Sequence, residues 1–315
     1  MHVQEKHMAQ AIQYFKALAD DTRLRLMFIL SRYELNVNEL MAILDMGQSR
    51  VSRHLKILSS AGLLSWRRDG LWVFYAAVNE GEARKFIEAV LPFVAGDDLF
   101  QADIAAAGGV VEERLRATRQ FFNAIADDWD QLASEVLGTY DLPGAITGFV
   151  QPGSVAVDLG CGTGEVIDRM LAVASEVIGV DGSARMLDLA RRRFSSDAAR
   201  VSLRIGDLEH LPLRDGEADF VSINMVLHHL GTPVAALEEA RRVLRPGGRI
   251  VVADFDRHEN ETMRITYGDR WLGFTNEALC SALQKAGFVP LSTNTTAVEK
   301  GLFIHLIQAE LSAQV

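Results

Sequence analysis

The segment VDLGCGTGE, residues 157–165, combines residue types and spacing that are well suited to binding a small ligand. An apolar strand is expected to end at Leu159, and the glycines that follow let a ligand approach the backbone closely. No Lys-Ser or Lys-Thr pair comes next, so the segment is not a P-loop. Asp158 and Glu165 place carboxylates on both sides of the loop, which disfavours a phosphate. The pattern favours a ligand with an ammonium and a sulfonium group, such as S-adenosylmethionine.

Later segments place further carboxylates at the ends of expected strands. Asp181 ends an apolar run that begins near Glu176, and a carboxylate there can accept hydrogen bonds from both ribose hydroxyls. Asp207 ends the next expected strand, where it could accept a hydrogen bond from an adenine amino group. Because apolar strands alternate with helical segments, the sequence predicts a doubly wound, mostly parallel α/β sheet.

A different pattern occupies the first part of the chain. A short helix, VNELMAILDM, is followed by Gly47 and by QSRVSRHLKILSSAGLL, in which helical spacing turns Val51, Leu55 and Leu58 inward. Helix, glycine turn and a second helix with a polar, basic outer face are typical of a helix-turn-helix domain. The side chains predicted to contact DNA from this helix are Gln48, Ser49, Arg50, Ser52, Arg53, His54 and Lys56.

The next segment, SWRRDGLWVFYAA, contains two β-rich runs around Asp69-Gly70, which predicts a hairpin. A hairpin after a recognition helix forms a wing, and Arg67 and Arg68 near its tip are further predicted DNA contacts. Five basic residues and one acidic residue lie within 46–75, an electrostatic pattern suited to DNA. The alternative is a small helical domain whose charged face is only solvated.

Composition sets broader limits. The net charge of −10 argues against nonspecific nucleic-acid binding by the whole chain, although residues 1–80 carry 10 basic against 8 acidic side chains. Two distant cysteines, Cys161 and Cys280, form neither a disulfide framework nor a zinc-ligand spacing. Without an apolar signal segment or a run long enough to span a membrane, we expect the protein to stay in the cytoplasm.

Three segments, FKALADDTRLRLMFIL, VSRHLKILSSAGLL and RRDGLWVFYAA, make residues 8–78 resemble the ArsR-type winged-helix repressors. The resemblance implies a homodimer that reads a palindromic operator in double-stranded DNA and releases it on ligand binding. Arsenite and cadmium sensors of that family carry Cys-Val-Cys where this chain has Asn36-Val37-Asn38. Because asparagine amides are poor ligands for soft metal ions, we expect no metal in this domain, and we expect the protein to use no metal cofactor.

The second part, about residues 112–310, resembles the class I S-adenosylmethionine-dependent methyltransferases through VDLGCGTGE, VIGVDGSARMLDLARRR, IGDLEHLPL, VLHHL and VLRPGGRIVVADF. The resemblance implies that S-adenosylmethionine or S-adenosylhomocysteine is bound. It assigns Asp158, Gly160, Gly162 and Gly164 to the methionine end, Asp181 to the ribose, Met186, Asp207 and Leu208 to the adenine, and Asn224 to the neighbourhood of the sulfonium, with Cys161 and Gly182 completing the set.

Catalytic residues are harder to predict, because class I enzymes share no single catalytic side chain. His228, His229 and Asp254 lie near expected strand ends and are weak candidates for a base. The surrounding segment DFDRHE, residues 254–259, is either a polar capping cluster or a substrate or metal site. No Asn-Pro-Pro-Tyr segment occurs, which argues against methylation of a nucleic-acid base.

The expected organisation is a winged helix over residues 1–80, a dimerisation or linker region with entry helices over 81–130, and a methyltransferase-like domain over 131–315. The small, polar segment AGDDLFQADIAAAGG, residues 95–109, is the candidate linker. The sequence favours a transcriptional regulator whose second domain uses S-adenosylmethionine or S-adenosylhomocysteine as its signal. The alternative is an active small-molecule methyltransferase with an autoregulatory DNA-binding head.

Overall fold

The computed structural model describes residues 2–69 and 72–312, with the side chains of 7–68 and 72–312. The chain divides into two compact units, residues 1–114 and 115–315. The predicted hairpin turn at Asp69-Gly70 falls partly outside the described residues, since Gly70 and Leu71 are not among them. Within the described part of the chain, no helix has the length and apolar character needed to cross a bilayer.

Helices dominate the first unit, and a small antiparallel sheet accompanies them in the strand order β1-β3-β2. Its elements are α1 (His2–Leu18), α2 (Asp21–Leu30), β1 (Leu35–Asn36), α3 (Val37–Leu44), α4 (Gln48–Ser60), β2 (Leu64–Asp69), β3 (Trp72–Ala77), α5 (Gly81–Val90) and the first part of α6 (Asp98–Ile125). Val51, Leu55 and Leu58 of α4 are buried in its apolar core, as the sequence predicts.

The asparagine at position 36 begins a helix rather than holding a ligand. Its side chain accepts a hydrogen bond from the backbone of Glu39 at 3.1 Å, and the Glu39 carboxylate accepts one from the backbone of Asn36 at 2.8 Å. This reciprocal arrangement is a capping box, and it satisfies two backbone donors at the start of α3. Arg114 pairs with the same Glu39 carboxylate. Asn38, in contrast, is exposed.

The candidate linker is mostly helical, which differs from the sequence expectation. Most of residues 95–109 lie in α6, where Asp103 is buried and accepts two 2.7 Å hydrogen bonds from Arg25. Ala107 is fully buried, and a Cβ added to Gly108 would lie 3.4 Å from the Tyr33 hydroxyl. Small residues that suggest a linker therefore allow close packing here. Residues 81–114 belong to the first unit, and 115–130 to the second.

The second unit is built around one mixed sheet. Its elements after α6 are α7 (Trp129–Leu137), α8 (Leu142–Thr147), β4 (Val155–Leu159), α9 (Glu165–Met170), β5 (Glu176–Asp181), α10 (Ala184–Arg193), β6 (Val201–Ile205), β7 (Ala218–Asn224), α11 (Pro233–Val243), β8 (Leu244–Phe255), α12 (Thr262–Thr266), α13 (Asn276–Lys285), β9 (Phe288–Ala297) and β10 (Phe303–Leu311). The predicted α/β class and Rossmann-like second domain are confirmed.

The strand order in this sheet is β6-β5-β4-β7-β8-β10-β9. The five strands from β6 to β8 are parallel, and β10 runs antiparallel to both β8 and β9. The chain moves outward from β4 to β6 and then crosses back to β7, so the order reverses between β4 and β7. A crevice forms at the carboxyl ends of the strands at such a switch point, and ligands bind there in this class of fold.

We predict that Asn36→Ala weakens the start of α3 by about 1 kcal/mol, because an N-cap hydrogen bond is lost. Hydrogen exchange of the α3 amides in the full chain would then be about fivefold faster, if exchange occurs through local opening. The matched control is Asn38→Ala, which removes an exposed amide without a capping role and does not speed exchange, because alanine favours the helix more than asparagine does. Equal acceleration by both substitutions would contradict the capping role.

Candidate functional site

A cavity opens in the second unit at the carboxyl ends of β4, β5 and β7. It is bordered by the loop after β4, by the ends of β5 and β7, and by side chains from α6 and α7. The predicted cofactor residues that line it are Asp158, Gly160, Cys161, Gly162, Asp181, Gly182, Met186, Asp207, Leu208 and Asn224. The structure thus brings together ten of the eleven residues that the sequence assigns to the cofactor, although their roles stay predictions.

The three glycines of the loop, Gly160, Gly162 and Gly164, have different neighbours. Gly160 has a φ of +73°, and a Cβ there would lie 2.3 Å from a methyl of Val226, so no side chain fits. Gly162, with a φ of +51°, faces the indole of Trp129 at 3.7 Å from its would-be Cβ. Gly164 is not among the described residues that line the cavity. Its would-be Cβ lies 2.4 Å from the ring of Phe194, so this glycine serves packing at the start of α9.

Asp158 is a buried carboxylate at the end of β4. Burial raises the pKa of Asp158 to about 7, although a hydrogen bond from the Ser222 hydroxyl opposes the shift. Burial likewise raises the pKa of Glu165 on the other side of the loop, and the nearby Asp130 adds to the effect. A cationic ligand would lower the free energy of the ionised carboxylates, so this end of the cavity suits an ammonium group.

Asp181 joins the glycine loop to the end of β5. Its Oδ2 accepts a hydrogen bond from the Gly162 backbone at 2.9 Å, and its Oδ1 accepts one from the Ser183 backbone at 2.7 Å. Each carboxylate oxygen can accept a second hydrogen bond, so both remain able to accept from a pair of hydroxyls. Burial raises the pKa of Asp181, while these backbone donors favour its ionised form.

The far side of the cavity from the glycine loop holds the predicted adenine residues. Met186 and Leu208 supply buried apolar surface, and Asp207 follows β6. The Asp207 Oδ1 accepts a hydrogen bond from the Glu209 backbone at 2.9 Å, which leaves its other oxygen for a ligand. These side chains suit a flat heterocycle with an exocyclic amino group.

Asn224 ends β7, and further lining residues follow it along the chain, from Met225 to Asp269. Its side-chain oxygen is buried and has no hydrogen-bond partner within the described part of the chain. The next residue, Met225, has a φ of +54°, an uncommon conformation for a residue other than glycine. Such strain is often found beside functional sites, and nothing in the sequence pattern indicates it.

Two histidines lie beyond Asn224, on the cavity wall. Burial acts to lower the pKa of His228, but the carboxylates of Asp254 and Asp269 outweigh it, so the pKa is raised. Burial lowers the pKa of His229 well below its usual range, and the neighbouring His228 adds to this effect. Asp254 is fully buried behind His228, 2.7 Å from its Nδ1, and is not among the described residues that line the cavity.

Sequence reasoning missed Asp269. It lies in the loop after α12, lines the cavity and is buried, and burial raises its pKa to about 6. The neighbouring residues give no motif that would have found it. Of the other DFDRHE residues considered, Asp256 pairs with His305 at 3.0 Å, and neither Asp256 nor His258 is among the described lining residues.

Aromatic side chains from the entry helices cover the cavity. Phe122 of α6 and Trp129 of α7 both line it, and their ring centroids are 5.4 Å apart. Phe122 also meets the His229 ring edge to face at 4.8 Å. This end of the entry region therefore both packs on the second unit and lines its cavity.

In the first unit, α4 presents most of the predicted DNA contacts on an exposed face. The exposed residues are Gln48, Ser49, Arg50, Ser52, Arg53 and Lys56. His54 differs, because its ring is mostly buried and its Nδ1 lies 3.6 Å from the carboxylate of Asp20. We therefore remove it from the predicted contact face.

Arg67 is half-buried and forms an ion pair within the first unit, and Arg68 is exposed. Two hydrogen bonds of 2.9 and 2.7 Å join the Arg67 guanidinium to the Glu34 carboxylate. The same guanidinium lies 4.5 Å from the ring centre of Phe74, a buried residue on the partner strand. Because side chains alternate along a strand, Arg67 and Arg68 occupy opposite faces of the hairpin, and the sequence could not show which was inward.

Comparisons with known proteins give a family to each region. Residues 20–65 match the family model described as "Bacterial regulatory protein, arsR family", and residues 157–252 match that of "Methyltransferase domain". An uncharacterized 37.1 kDa transposon protein of Streptomyces fradiae is 42% identical over 122 residues, which are 38% of this chain and 34% of that protein.

The demethylmenaquinone methyltransferase of Staphylococcus saprophyticus is 39% identical over 38% of this chain and 52% of its own length. That of Symbiobacterium thermophilum is 28% identical over 52% of this chain and 68% of its own length. The chain thus spans about a third of the length of the Streptomyces fradiae protein and about half of that of the Staphylococcus saprophyticus enzyme.

Solved structures support the fold of the second unit alone. A chain from the Haloferax volcanii complex of the Trm112 methyltransferase activator with a methyltransferase has a TM-score of 0.55 at 21% identity, covering 63% of this chain and 99% of its own. The [4+2]-cyclase SpnF has a TM-score of 0.54 at 18% identity, covering 62% and 95%. The chain therefore combines an arsR-family helix-turn-helix region with a methyltransferase domain.

Proposed function

We propose that the protein is a DNA-binding transcriptional regulator whose second unit binds S-adenosylmethionine or S-adenosylhomocysteine and uses it as its signal. The observation that carries the proposal is the ordered set of carboxylates in one cavity. Asp158, Asp181 and Asp207 border it in the order that would serve an ammonium, a ribose and an adenine. A dinucleotide would instead bring a pyrophosphate to this loop, where Asp158 and Glu165 would oppose it.

In this proposal the ligand contacts all three carboxylates, Asp158, Asp181 and Asp207. Asp158 and the backbone from Gly160 to Gly162 hold its amino-acid end, and the free acceptor positions of Asp181 take both ribose hydroxyls. Met186 and Leu208 cover the adenine, whose amino group donates to Asp207. Asn224 has an unpaired oxygen that can interact with the positive sulfonium region.

DNA binding uses the exposed face of α4, and a homodimer would present two such faces to a palindromic operator. Met8 and Phe15 on α1 are 63% and 62% exposed. Apolar side chains of this size on one helix favour burial against a second copy. Because a bacterial operator lies in the cytoplasm, the proposal places the protein there.

Signalling requires that the ligand bind the DNA-bound and DNA-free states with different affinities. By linkage, DNA then changes ligand affinity by the same factor. The thiolate site of metal-sensing repressors is replaced in this chain by a helix cap at Asn36. The proposal accordingly assigns the signal to the cavity of the second unit. Binding of the ligand there would release the repressor from its operator DNA.

Methyl transfer is a second candidate, favoured by the extent of the cavity. Beyond Asn224 it continues along Phe255, Met263 and Tyr267 to His228, a mostly apolar space that could take a small aromatic acceptor. An acceptor oxygen or carbon would attack the methyl carbon, and the bond between that carbon and the sulfonium sulfur would break. The acceptor would lose its proton to water, and S-adenosylhomocysteine would leave as a neutral thioether. The demethylmenaquinone methyltransferase relatives make an acceptor with a hydroxylated ring worth testing first.

The decisive experiment measures the affinity of the full chain for an operator selected from a random duplex library. We expect S-adenosylmethionine or S-adenosylhomocysteine to change that affinity by roughly 5- to 150-fold, the usual range of allosteric coupling. Equal affinities with either ligand and without ligand would refute the signalling role. Methylation of phenolic acceptors, followed by formation of S-adenosylhomocysteine, tests the second candidate separately.

We predict that Arg53→Ala weakens operator binding and reduces by about one the slope of log affinity against log salt concentration, because a phosphate contact is lost. Arg67→Ala is the matched control, since its guanidinium is paired with Glu34. The salt slope of this second variant is expected to stay close to that of the unsubstituted protein. A larger change for Arg67→Ala than for Arg53→Ala would show that the contact face is misassigned.

We predict that affinity for S-adenosylmethionine rises as pH increases from 6 to 7.5. The carboxylate of Asp158 must be ionised to pair with the ammonium, and its pKa is about 7 in the ligand-free protein. The ionised fraction then increases by about eightfold over this interval, and affinity follows it. Isothermal titration calorimetry can measure both the affinity and the proton released on binding.

Asp158→Asn is the control, because an amide of the same shape does not titrate. Its affinity is expected to be lower and to lack this part of the pH dependence. An equally steep rise in the variant would assign the titration to another group.

A further inference from the structure

Three potential ligand groups converge on the cavity wall beyond Asn224. His228, His229 and Asp269 are all buried, and one ligand atom from each lies within 4.8 Å of the other two. None of these residues is needed to bind the nucleoside in the function proposed above. The cluster therefore needs an explanation of its own.

Both imidazoles are oriented through the same ring nitrogen. The Nδ1 of His228 lies 2.7 Å from the Asp254 carboxylate, and the Nδ1 of His229 lies 3.2 Å from the backbone oxygen of Gly268. A carbonyl oxygen can only accept, so Nδ1 of His229 carries the hydrogen and its Nε2 keeps a lone pair. Histidines that bind metal ions characteristically donate their other ring N–H to a carboxylate or a carbonyl in this way.

Asp254 is held firmly enough to act as such a partner. It is fully buried, and the backbone of Phe255 donates a 2.8 Å hydrogen bond to the same Oδ1 that contacts His228. The backbone of His228 lies 3.3 Å from its other oxygen. In this arrangement Asp254 accepts a hydrogen bond from Nδ1–H of His228, which leaves Nε2 of that ring for another ligand.

Asp269 is a buried carboxylate that accepts no hydrogen bond from the described residues. Its residue surface is only 4% exposed, it lines the cavity, and neither carboxylate oxygen has a hydrogen-bond partner within the described residues. Buried carboxylates without a partner are rare, because desolvating the charge is unfavourable. A bound cation would supply the missing interaction.

The spacing between two of the groups fits one ion. Oδ1 of Asp269 lies 3.6 Å from Nε2 of His228, which is longer than a hydrogen bond. Two ligand atoms on a tetrahedral zinc ion, each about 2.1 Å away, are separated by roughly 3.4 Å. The separation in the structure is therefore close to that of two ligands of the same ion.

We propose that His228, His229 and Asp269 bind a divalent transition-metal ion on the wall of the cavity. Two imidazoles and one carboxylate favour Zn²⁺, Fe²⁺, Co²⁺ or Ni²⁺ over Mg²⁺ and Ca²⁺, which prefer oxygen ligands. Three protein ligands leave at least one coordination position open, as in sites where the metal binds a substrate or water. That position would take an oxygen or sulfur atom of the molecule that fills this part of the cavity.

This site differs from the expectation that the protein uses no metal. That expectation came from Asn36 and Asn38, in the first unit, where the thiolates of metal-sensing repressors are missing. Adjacent histidines in VLHHL carry no recognisable ligand spacing, and Asp269 is distant in sequence. Only the fold brings the three side chains together.

The test uses the full chain, stripped of metal with a chelator and titrated with Co²⁺ in the absence of any nucleoside. Cobalt bound by two imidazoles and a carboxylate absorbs visible light, so the titration reports both stoichiometry and ligand type. We expect one equivalent to bind, and we expect His228→Gln and Asp269→Asn each to weaken binding at least tenfold. His210→Gln is the matched control, since it removes an exposed imidazole outside the cluster.

Thermal unfolding with and without Co²⁺ distinguishes loss of metal binding from a change in the stability of a variant. At one Co²⁺ concentration, the Tm of the unsubstituted protein should rise by more than that of Asp269→Asn, because the variant binds the ion more weakly. Without metal, Asp269→Asn should unfold at the same or a higher temperature, since it removes a buried carboxylate that accepts no hydrogen bond from the described residues. Absence of stoichiometric binding, or an affinity in both cluster variants equal to that of the unsubstituted protein, would overturn the proposal.

A nucleoside titration of the metal-free protein separates this result from the function proposed above. Cofactor binding without metal binding would refute the metal site alone. Metal binding without cofactor binding would leave the metal site standing and refute the signalling role.

Discussion

Buried negative charge at the carboxyl ends of the central strands is the constraint on which the second unit depends. Asp158 is buried on β4, Asp181 on β5, and Asp269 faces the same cavity from a loop. A carboxylate removed from water is unfavourable unless hydrogen bonds or a cation compensate it. Backbone donors compensate Asp181, and a hydroxyl only partly compensates Asp158. Asp269 accepts no hydrogen bond from the described residues, and its nearest charged group is the His228 ring at 3.6 Å. The cavity is thus prepared for positively charged occupants.

The reversal of strand order explains why these carboxylates meet. Positions that are far apart in sequence reach one edge of the sheet because β4, β5 and β7 are parallel neighbours. The fold by itself does not determine a reaction, since a [4+2]-cyclase shares it. The difference between a sensor and an enzyme therefore lies in the part of the cavity beyond Asn224, where the histidines and aromatic residues are found.

Much of the fold, and the grouping of the predicted cofactor residues around one cavity, could be predicted from the sequence, because those features are local. A strand that runs into closely spaced glycines, and carboxylates at later strand ends, are visible as short patterns. Gly164 has the same pattern but serves packing against Phe194, a distinction that depends on a residue from another element. Likewise, the helix that contains most of residues 95–109 packs against Arg25 and Tyr33, which lie far away in sequence.

The features that the sequence could not predict all depend on tertiary contacts. Strand alternation leaves two possible faces for Arg67, and its pairing with Glu34 decides between them. Asp269 follows no motif at all and becomes notable only because His228 and His229 are near it. Local sequence spacing does not identify residues whose role depends on such tertiary contacts.

The hydrogen bond between Asp181 and the Gly162 backbone has a kinetic consequence. It fixes the glycine loop to the neighbouring strand before any ligand arrives, so the loop is already in the shape that surrounds the ligand. Little conformational entropy is then lost in ordering it on binding. Because the loop needs no ordering step, the association rate of a ligand that binds as proposed would not be limited by rearrangement of this loop.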